Sequence, residues 1–415
     1  MTDADRILSP EEAQQVVLDH VRPLGLERVP LLGALGRIMA QDVAADYDIP
    51  PCDNSAMDGY AVRFADVEGA TQDRPVELEV VEDIPAGRVG QRAVGPGQAS
   101  RIMTGAPLPR GADAVVRVEL TRSECPGPGG RVHVLDRESR GGNVRRAGED
   151  IRRGDTVLCA GALCGPGEIG TLATLQRAFV TVWRRPVIAI LSTGDELVEI
   201  DEPLAPGHIV NCNSYALAAL ATAHGAVPRI LPIARDTEAQ IRAAVEAALA
   251  ADFVVSSGGV SVGEYDYVKK VLDDLGARTV FWRVAMKPGK PLFFCQVQGK
   301  PYFGLPGNPV SSMTSFLQFV RPAIRRASGY AEDDLLLPEG RAILHNDVYN
   351  RGDRRQYLRA QLRWDDGRLL ATTPAKQGSH MLSSMLGVNG FAVLEPEERG
   401  APGAEVRVQV IGRVF

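Results

Sequence analysis

The chain has 415 residues, enough for two to four domains at about 150 residues each. Hydrophobic residues make up 45% and charged residues 24%, the balance of a soluble globular chain rather than a disordered one. A net charge of −6 and a pI of about 5.7 argue against a general binder of nucleic acid or anionic membrane, so any anion site must be a local pocket.

The N-terminus, MTDADRILSPEEAQ, carries acids and no apolar core, unlike a signal peptide. Ser9, Pro10 and Glu12 predict a capped helix start. From about 46 to 145, alternating runs such as VELEVVEDI and GRVHVLD are separated by PAG, GPG and CPGPGG, which predicts a β-rich segment. From 186 the text becomes a series of β–α units. PVIAIL, VPRILPI and DFVVS read as strands. SYALAALATAHG, TEAQIRAAVEAALAA, EYDYVKKVLDDLG and VSSMTSFLQFVRPAIRR read as helices, with Asn308 a cap for the last. Short strands are expected near 279–284, 292–295 and 301–303. The alternation predicts a doubly wound sheet, and the tail from about 330 returns to β. The longest apolar runs are far shorter than a membrane span. Six cysteines without C-x-x-C or a nearby His pair read as free thiols of a reducing cytoplasm, with neither a zinc site nor a disulfide framework.

In an open α/β sheet, ligands bind past the carboxyl ends of the strands. STGDEL, RDT, SSGGVSVGEYD, KPGKP and GLPGNP all follow expected strands. In SSGGVSVGEYD, the glycines and serines suit a phosphate cradle in front of a helix. The acids Asp195, Glu196, Asp236, Glu264 and Asp266 would oppose that anion unless a hard cation such as Mg²⁺ bridges them to it. Asp236 also suits a helix cap, and Glu264 is open between a ligand and a residue complementing the helix dipole. Arg283, Lys287 and Lys290 crowd into RVAMKPGKP, where the prolines stiffen a turn that can hold an oxyanion. Arg145, Arg146 and Arg359 are weaker candidates, since a surface arginine is the ordinary reading. GPGEIG at 165–170 matches G-x-G-x-x-G but contains a proline and lacks the following acid, so it reads as chance.

Taken together, PCDNSAMDGYAVR, RIMTGAPLP, NVRRAGED, STGDEL, SSGGVSVGEYDYVK, MKPGKP, GLPGNPVS and QGSH resemble, in order and over nearly the whole chain, the MoeA family of molybdopterin molybdenumtransferases, related to the E domains of gephyrin and Cnx. The resemblance implies a multidomain α/β and β protein. A helical or mixed dimerisation domain (1–45 and 146–183) would carry a β-rich inserted domain (46–145). A central MogA-like doubly wound α/β domain (184–328) and a C-terminal β domain (329–415) would follow.

It further implies a cytoplasmic homodimer that inserts molybdate into adenylylated molybdopterin, releases AMP with Mg²⁺, and works with a MogA-type adenylyltransferase and molybdoenzyme maturation proteins. Asp58, Thr104, Glu196, Asp236, Asp266 and Lys287 match its catalytic positions, and Glu196, Asp236 and Asp266 would hold the metal. Gly258, Gly259, Ser261, Gly263, Pro306, Gly307, Asn308, Ser311, Arg145 and Asp150 would bind the pterin substrate. Arg283, Lys287, Arg359 and Ser379 would face molybdate. Some relatives carry Lys where this chain has Arg283, which keeps the charge but changes a point charge into a planar fork. A gephyrin-like scaffold and another adenylyl-handling phosphotransferase are the alternative readings.

Overall fold

The computed structural model describes residues 6–258 and 267–414. Two compact units are present: residues 1–40, 161–169 and 179–415 form one, and 41–160 with 170–178 form the other.

The larger unit is built on a seven-stranded sheet. Its order is Ile7–Leu8, Arg278–Val284, Pro291–Val297, Lys300–Leu305, Phe253–Ser257, Val187–Ser192 and Val227–Ile230. The last four run parallel. Alternate residues of the buried strands serve opposite faces, as the period of two requires. Ile188, Ile190, Phe253 and Val255 pack with helices Pro10–Asp19 and Cys212–Ala223. Ala189, Leu191 and Val254 pack with helices Glu238–Ala248 and Tyr267–Asp274. The sheet is therefore covered on both sides, as the alternation predicts.

The other half is mixed: Arg278–Val284, Pro291–Val297 and Lys300–Leu305 pair antiparallel, and the edge strand Ile7–Leu8 joins Arg278–Val284 in parallel. Pro291–Val297 and Lys300–Leu305 form a hairpin, because the two residues between them leave no room for a crossover. Gln298 and Gly299 both have positive φ (50° and 75°), the conformation of a type I′ turn.

The first helix starts as expected. Ser9 accepts from the Glu12 N–H while Glu12 closes a capping box. The helix after GLPGNP runs from Pro309 to Ala327 with a π-helical stretch at Phe316–Val320. Pro322 accounts for this: it offers no N–H to the carbonyl of Gln318 and its ring crowds that turn.

The C-terminal strands Arg355–Asp365, Arg368–Thr372, Glu339–Leu344, Glu405–Val410 and Gly390–Leu394 close on themselves as a five-stranded barrel. Met286–Lys287 joins it in parallel, pairing with Arg355 and Gln356. The smaller unit holds a six-stranded sheet, with Gly59–Val62 between Ala114–Arg117 and Gln98–Ile102. Its core includes Tyr60, Val62, Val80, Val116 and Val132.

Candidate functional site

In the smaller unit, Asp58 accepts hydrogen bonds from the backbone N–H (2.7 Å) and the hydroxyl (2.8 Å) of Thr104. Those bonds, the backbone one first, hold its carboxyl below the ordinary range. Both residues are exposed. Strand Val144–Arg145 pairs with Asn54–Ser55 and brings NVRRAGED beside PCDNSAMDG. Of the two arginines, Arg146 binds Asp53 at 2.6 Å. Arg145 lies on the strand opposite Asn54, exposed and without an ion pair among the described residues. Asp150 is exposed, its N–H donating to the Ile49 carbonyl.

In the larger unit, the strand-end loops of the sheet surround a pocket of about 90 Å³. Ser192, Thr193, Glu196, Asn211, Asn213, Ser257, Gly258 and Gly307 are among its lining. Gly258 has φ +91°, and a Cβ there would stand 3.1 Å from the Thr193 carbonyl, so the position favours glycine. Asn213 ties three elements together by donating to the Ser257 hydroxyl and the Gly307 carbonyl, each at 2.7 Å. Asn211 caps the helix Cys212–Ala223 by accepting from the Ser214 N–H. These two asparagines were not singled out in the sequence. Their signal was NCNS, whose first residue, the cap, lies three residues ahead of the expected helix start.

Glu196 of this lining belongs to a group of acids. Asp195 accepts from the Asp236 N–H at 3.1 Å. Crowding by surrounding atoms comes first, and the carboxylates of Asp195 and Glu196 next, in raising the Asp236 carboxyl above its ordinary value. Asp236 does not cap the following helix; Thr237 does, accepting from the Gln240 N–H. Arg235 fastens the STGDEL turn by donating to the carbonyls of Asp195 (3.1 Å) and Leu197 (2.9 Å). Among the described residues no group of three or more His, Cys, Asp or Glu is arranged as a metal site. Gly259, Ser261, Gly263, Glu264 and Asp266 lie outside the described residues.

A second cavity of about 420 Å³ opens between the KPGKP turn, the GLPGNP loop and the C-terminal barrel. GLPGNP is a shared wall: Gly307 and Pro309 line the first pocket, Pro306 and Asn308 the second. Asn308 stands at the helix cap, but its side chain makes no capping bond. The pairing of Met286–Lys287 with Arg355–Gln356 carries Lys287 into a cavity that Arg359, Ser311 and Ser379 also line. Lys290 and Arg354 join them. Arg283 does not line it; it sits in the sheet opposite Ile7 and Pro291.

Arg359 is the most unusual member. It is 1% exposed, its Nε has no hydrogen-bond partner, and among the described residues no carboxylate pairs with it. Among the described residues its Nη2 donates to the carbonyls of Lys376 (3.3 Å) and Gly378 (3.5 Å). Burial pushes this guanidinium below its ordinary pKa, although an arginine stays charged. A buried cation without a counter-charge is costly, and an anion in the cavity would supply one.

Family models match three stretches in order: "MoeA N-terminal region (domain I and II)" at residues 8–175, "Probable molybdopterin binding domain" at 189–326, and "MoeA C-terminal region (domain IV)" at 341–411. A protein of Nostoc sp. named molybdopterin molybdenumtransferase is 42% identical over 89% of this chain and 84% of its own length. Molybdopterin molybdenumtransferase 2 of Mycobacterium tuberculosis is 39% identical over 97% and 98%. The crystal structure of the molybdopterin biosynthesis MoeA protein of Pyrococcus horikoshii has a TM-score of 0.82 at 33% identity, covering 98% of this chain and all of that one.

Proposed function

The chain belongs to the MoeA family, transferases of molybdenum cofactor biosynthesis, and from that premise we propose that it inserts molybdate into adenylylated molybdopterin with release of AMP. The observation that carries this reading is the buried, unpaired Arg359 facing a 420 Å³ cavity beside Lys287 and Lys290. The cavity then binds MoO₄²⁻. Lys287 and Lys290 draw the dianion in, the Arg359 Nε–H donates to one oxygen, and the Ser379 hydroxyl to another. The pocket across the GLPGNP wall takes the pterin phosphate and pyrophosphate through Gly258, Ser257 and the Thr193 hydroxyl. A dithiolene reaching past Asn308 would meet the molybdate.

Glu196 and Asp236, with Asp266, would hold Mg²⁺. The all-carboxylate donor set suits a hard cation; burial first, and then repulsion from Asp195 and Glu196, raises the Asp236 carboxyl, and a cation would relieve the repulsion. The bound ion supplies neutralisation of the phosphate charge. The protein's own part is to orient the two substrates against one another and exclude water between them. Asp58 and Thr104 lie in the other unit, where their mutual hydrogen bonds keep the carboxylate ionised and oriented for a substrate group.

Replacing Arg359 by Ala removes the buried charge and tests the reading. The molybdate needed for half-maximal turnover of adenylylated molybdopterin should rise by about 10- to 100-fold, the loss of one or two charge-assisted bonds. An unchanged molybdate dependence would remove this cavity from the reaction.

A further inference from the structure

We propose that Gln377 is a positioning residue for molybdate insertion, acting as a substitute strand partner that locks Arg359 and delivers Ser379. The inference rests on the cavity being the molybdate site, as argued above.

Strand Arg355–Asp365 is only partly covered on one edge. Met286–Lys287 stops at Gln356, and Arg368–Thr372 begins at Gln361. Between them, among the described residues, no strand faces Arg359 on that edge. The Gln377 side chain fills the gap. Its Oε1 accepts from the Arg359 N–H at 3.1 Å, and its Nε2 donates to the Arg359 carbonyl at 3.1 Å. Nε2 also donates to the Pro374 carbonyl at 3.0 Å. One primary amide thus reproduces the two bonds a neighbouring strand would make.

The chain on either side of Gln377 then has only one place to go. The carbonyls of Lys376 and Gly378 both fall on the Arg359 guanidinium. These two contacts occupy Nη2 and leave Nε, which has no partner, for a ligand. One residue further, the Ser379 carbonyl accepts from the Val310 N–H at the start of the helix after GLPGNP. The segment is therefore pinned at Gln377 and at Ser379, with the oxyanion groups Arg359 and Ser379 held at a fixed spacing. Nothing in the family resemblance assigned a role to this glutamine. Its chemistry explains one: only a side-chain amide carries an acceptor and a two-proton donor on one rigid plane.

The test is the Gln377→Met variant, of similar volume and without the amide. Half-saturating molybdate should rise by about 10- to 100-fold, as for other residues that orient a ligand-binding group. Turnover at saturating molybdate should stay within about threefold, and the KM for adenylylated molybdopterin should not move. Adding Gln377→Met to Arg359→Ala should cost nothing further, because both act through one guanidinium. Full additivity of the two variants, or an equal loss at all molybdate concentrations, overturns the proposal. So does a Gln377→Met chain that no longer folds by circular dichroism, since the amide would then be a structural strut. If Arg359→Ala itself leaves the molybdate dependence unchanged, the reading of the cavity fails. If Arg359→Ala raises it and Gln377→Met does not, only the role of Gln377 fails.

Discussion

At the scale of single residues, the site joins two regions of opposite and unbalanced charge. Arg359 and Lys287 face one cavity that no acid lines among the described residues, and Glu196, lining the next pocket, is grouped electrostatically with Asp195 and Asp236. Lys287 and the acids were legible because they sit in short motifs at strand ends. Gln377 and Arg354 were not, because their roles depend on a strand edge and a pairing that no local pattern records. His224 shows the same dependence on context. It ends the helix Cys212–Ala223, where the dipole would favour its protonated form by up to about 2 kcal/mol. Burial, and then Arg321 and Arg325, win instead and lower its pKa to about 4. Arg37 and Arg185 line the same small cleft and add positive charge, that of Arg37 being paired with the Glu27 carboxylate. The folded state therefore binds fewer protons than the unfolded one between pH 6.5 and about 4, and stability falls as pH drops through that window. Denaturation at pH 7.5 and pH 5 should show the wild type losing about 2 kcal/mol more than His224→Asn, a residue that also suits a helix end. Equal losses would mean that His224 is already protonated in the fold.

At the scale of elements, capping chemistry and strand composition were readable and long-range partners were not. The Ser9 box, the buried run 187–192 and the glycine-bearing turn after 297 all follow local rules. The π-helical stretch before Pro322 also has a local cause, but its repair does not. The Gln318 carbonyl, denied its helical partner by Pro322, accepts instead from Gln14 Nε2 at 3.2 Å. The relay continues from Gln318 Nε2 to Gln409 Oε1 at 2.7 Å, and from Gln409 to Glu339 at 2.9 Å. Four elements are joined through three side-chain amides, of which Gln318 and Gln409 are 1% and 5% exposed. Replacing Gln14 by Leu keeps the volume but strands a buried carbonyl and one amide. Unfolding free energy should drop by about 1–3 kcal/mol, with a lower melting temperature. A variant as stable as the wild type would show that water, rather than Gln14, satisfies the Gln318 carbonyl.

At the scale of the molecule, the two-faced sheet was legible because buried parallel strands read as continuous apolar runs. The barrel closure was not, since its register is set by partners as far apart in sequence as Glu339 and Gln409. One property of the whole chain is visible only in what the fold leaves uncovered. In the larger unit, the ribbon of Leu26–Pro30 with Phe179–Trp183, the turn after it and the adjoining segment near Leu163 expose Leu26, Leu32, Leu35, Leu163 and Phe179 by 50–77%. Arg28 lies over the Phe179 ring at 5.0 Å without covering the leucines. Large apolar side chains clustered on one small ribbon mark an interaction surface more often than free surface. The homodimer implied by the resemblance gives this patch an occupant, a second copy of the same chain. A stable interface needs about 1,200–2,000 Å² in all, and the five side chains can form the apolar centre of one half of it. Light scattering should then give twice 44.6 kDa for the wild type. Leu32→Glu combined with Phe179→Glu should give a monomer, because two carboxylates per copy would be buried without partners. A double variant that remains dimeric would place the interface elsewhere on the chain. A monomeric wild type would leave the exposed leucines to a different partner.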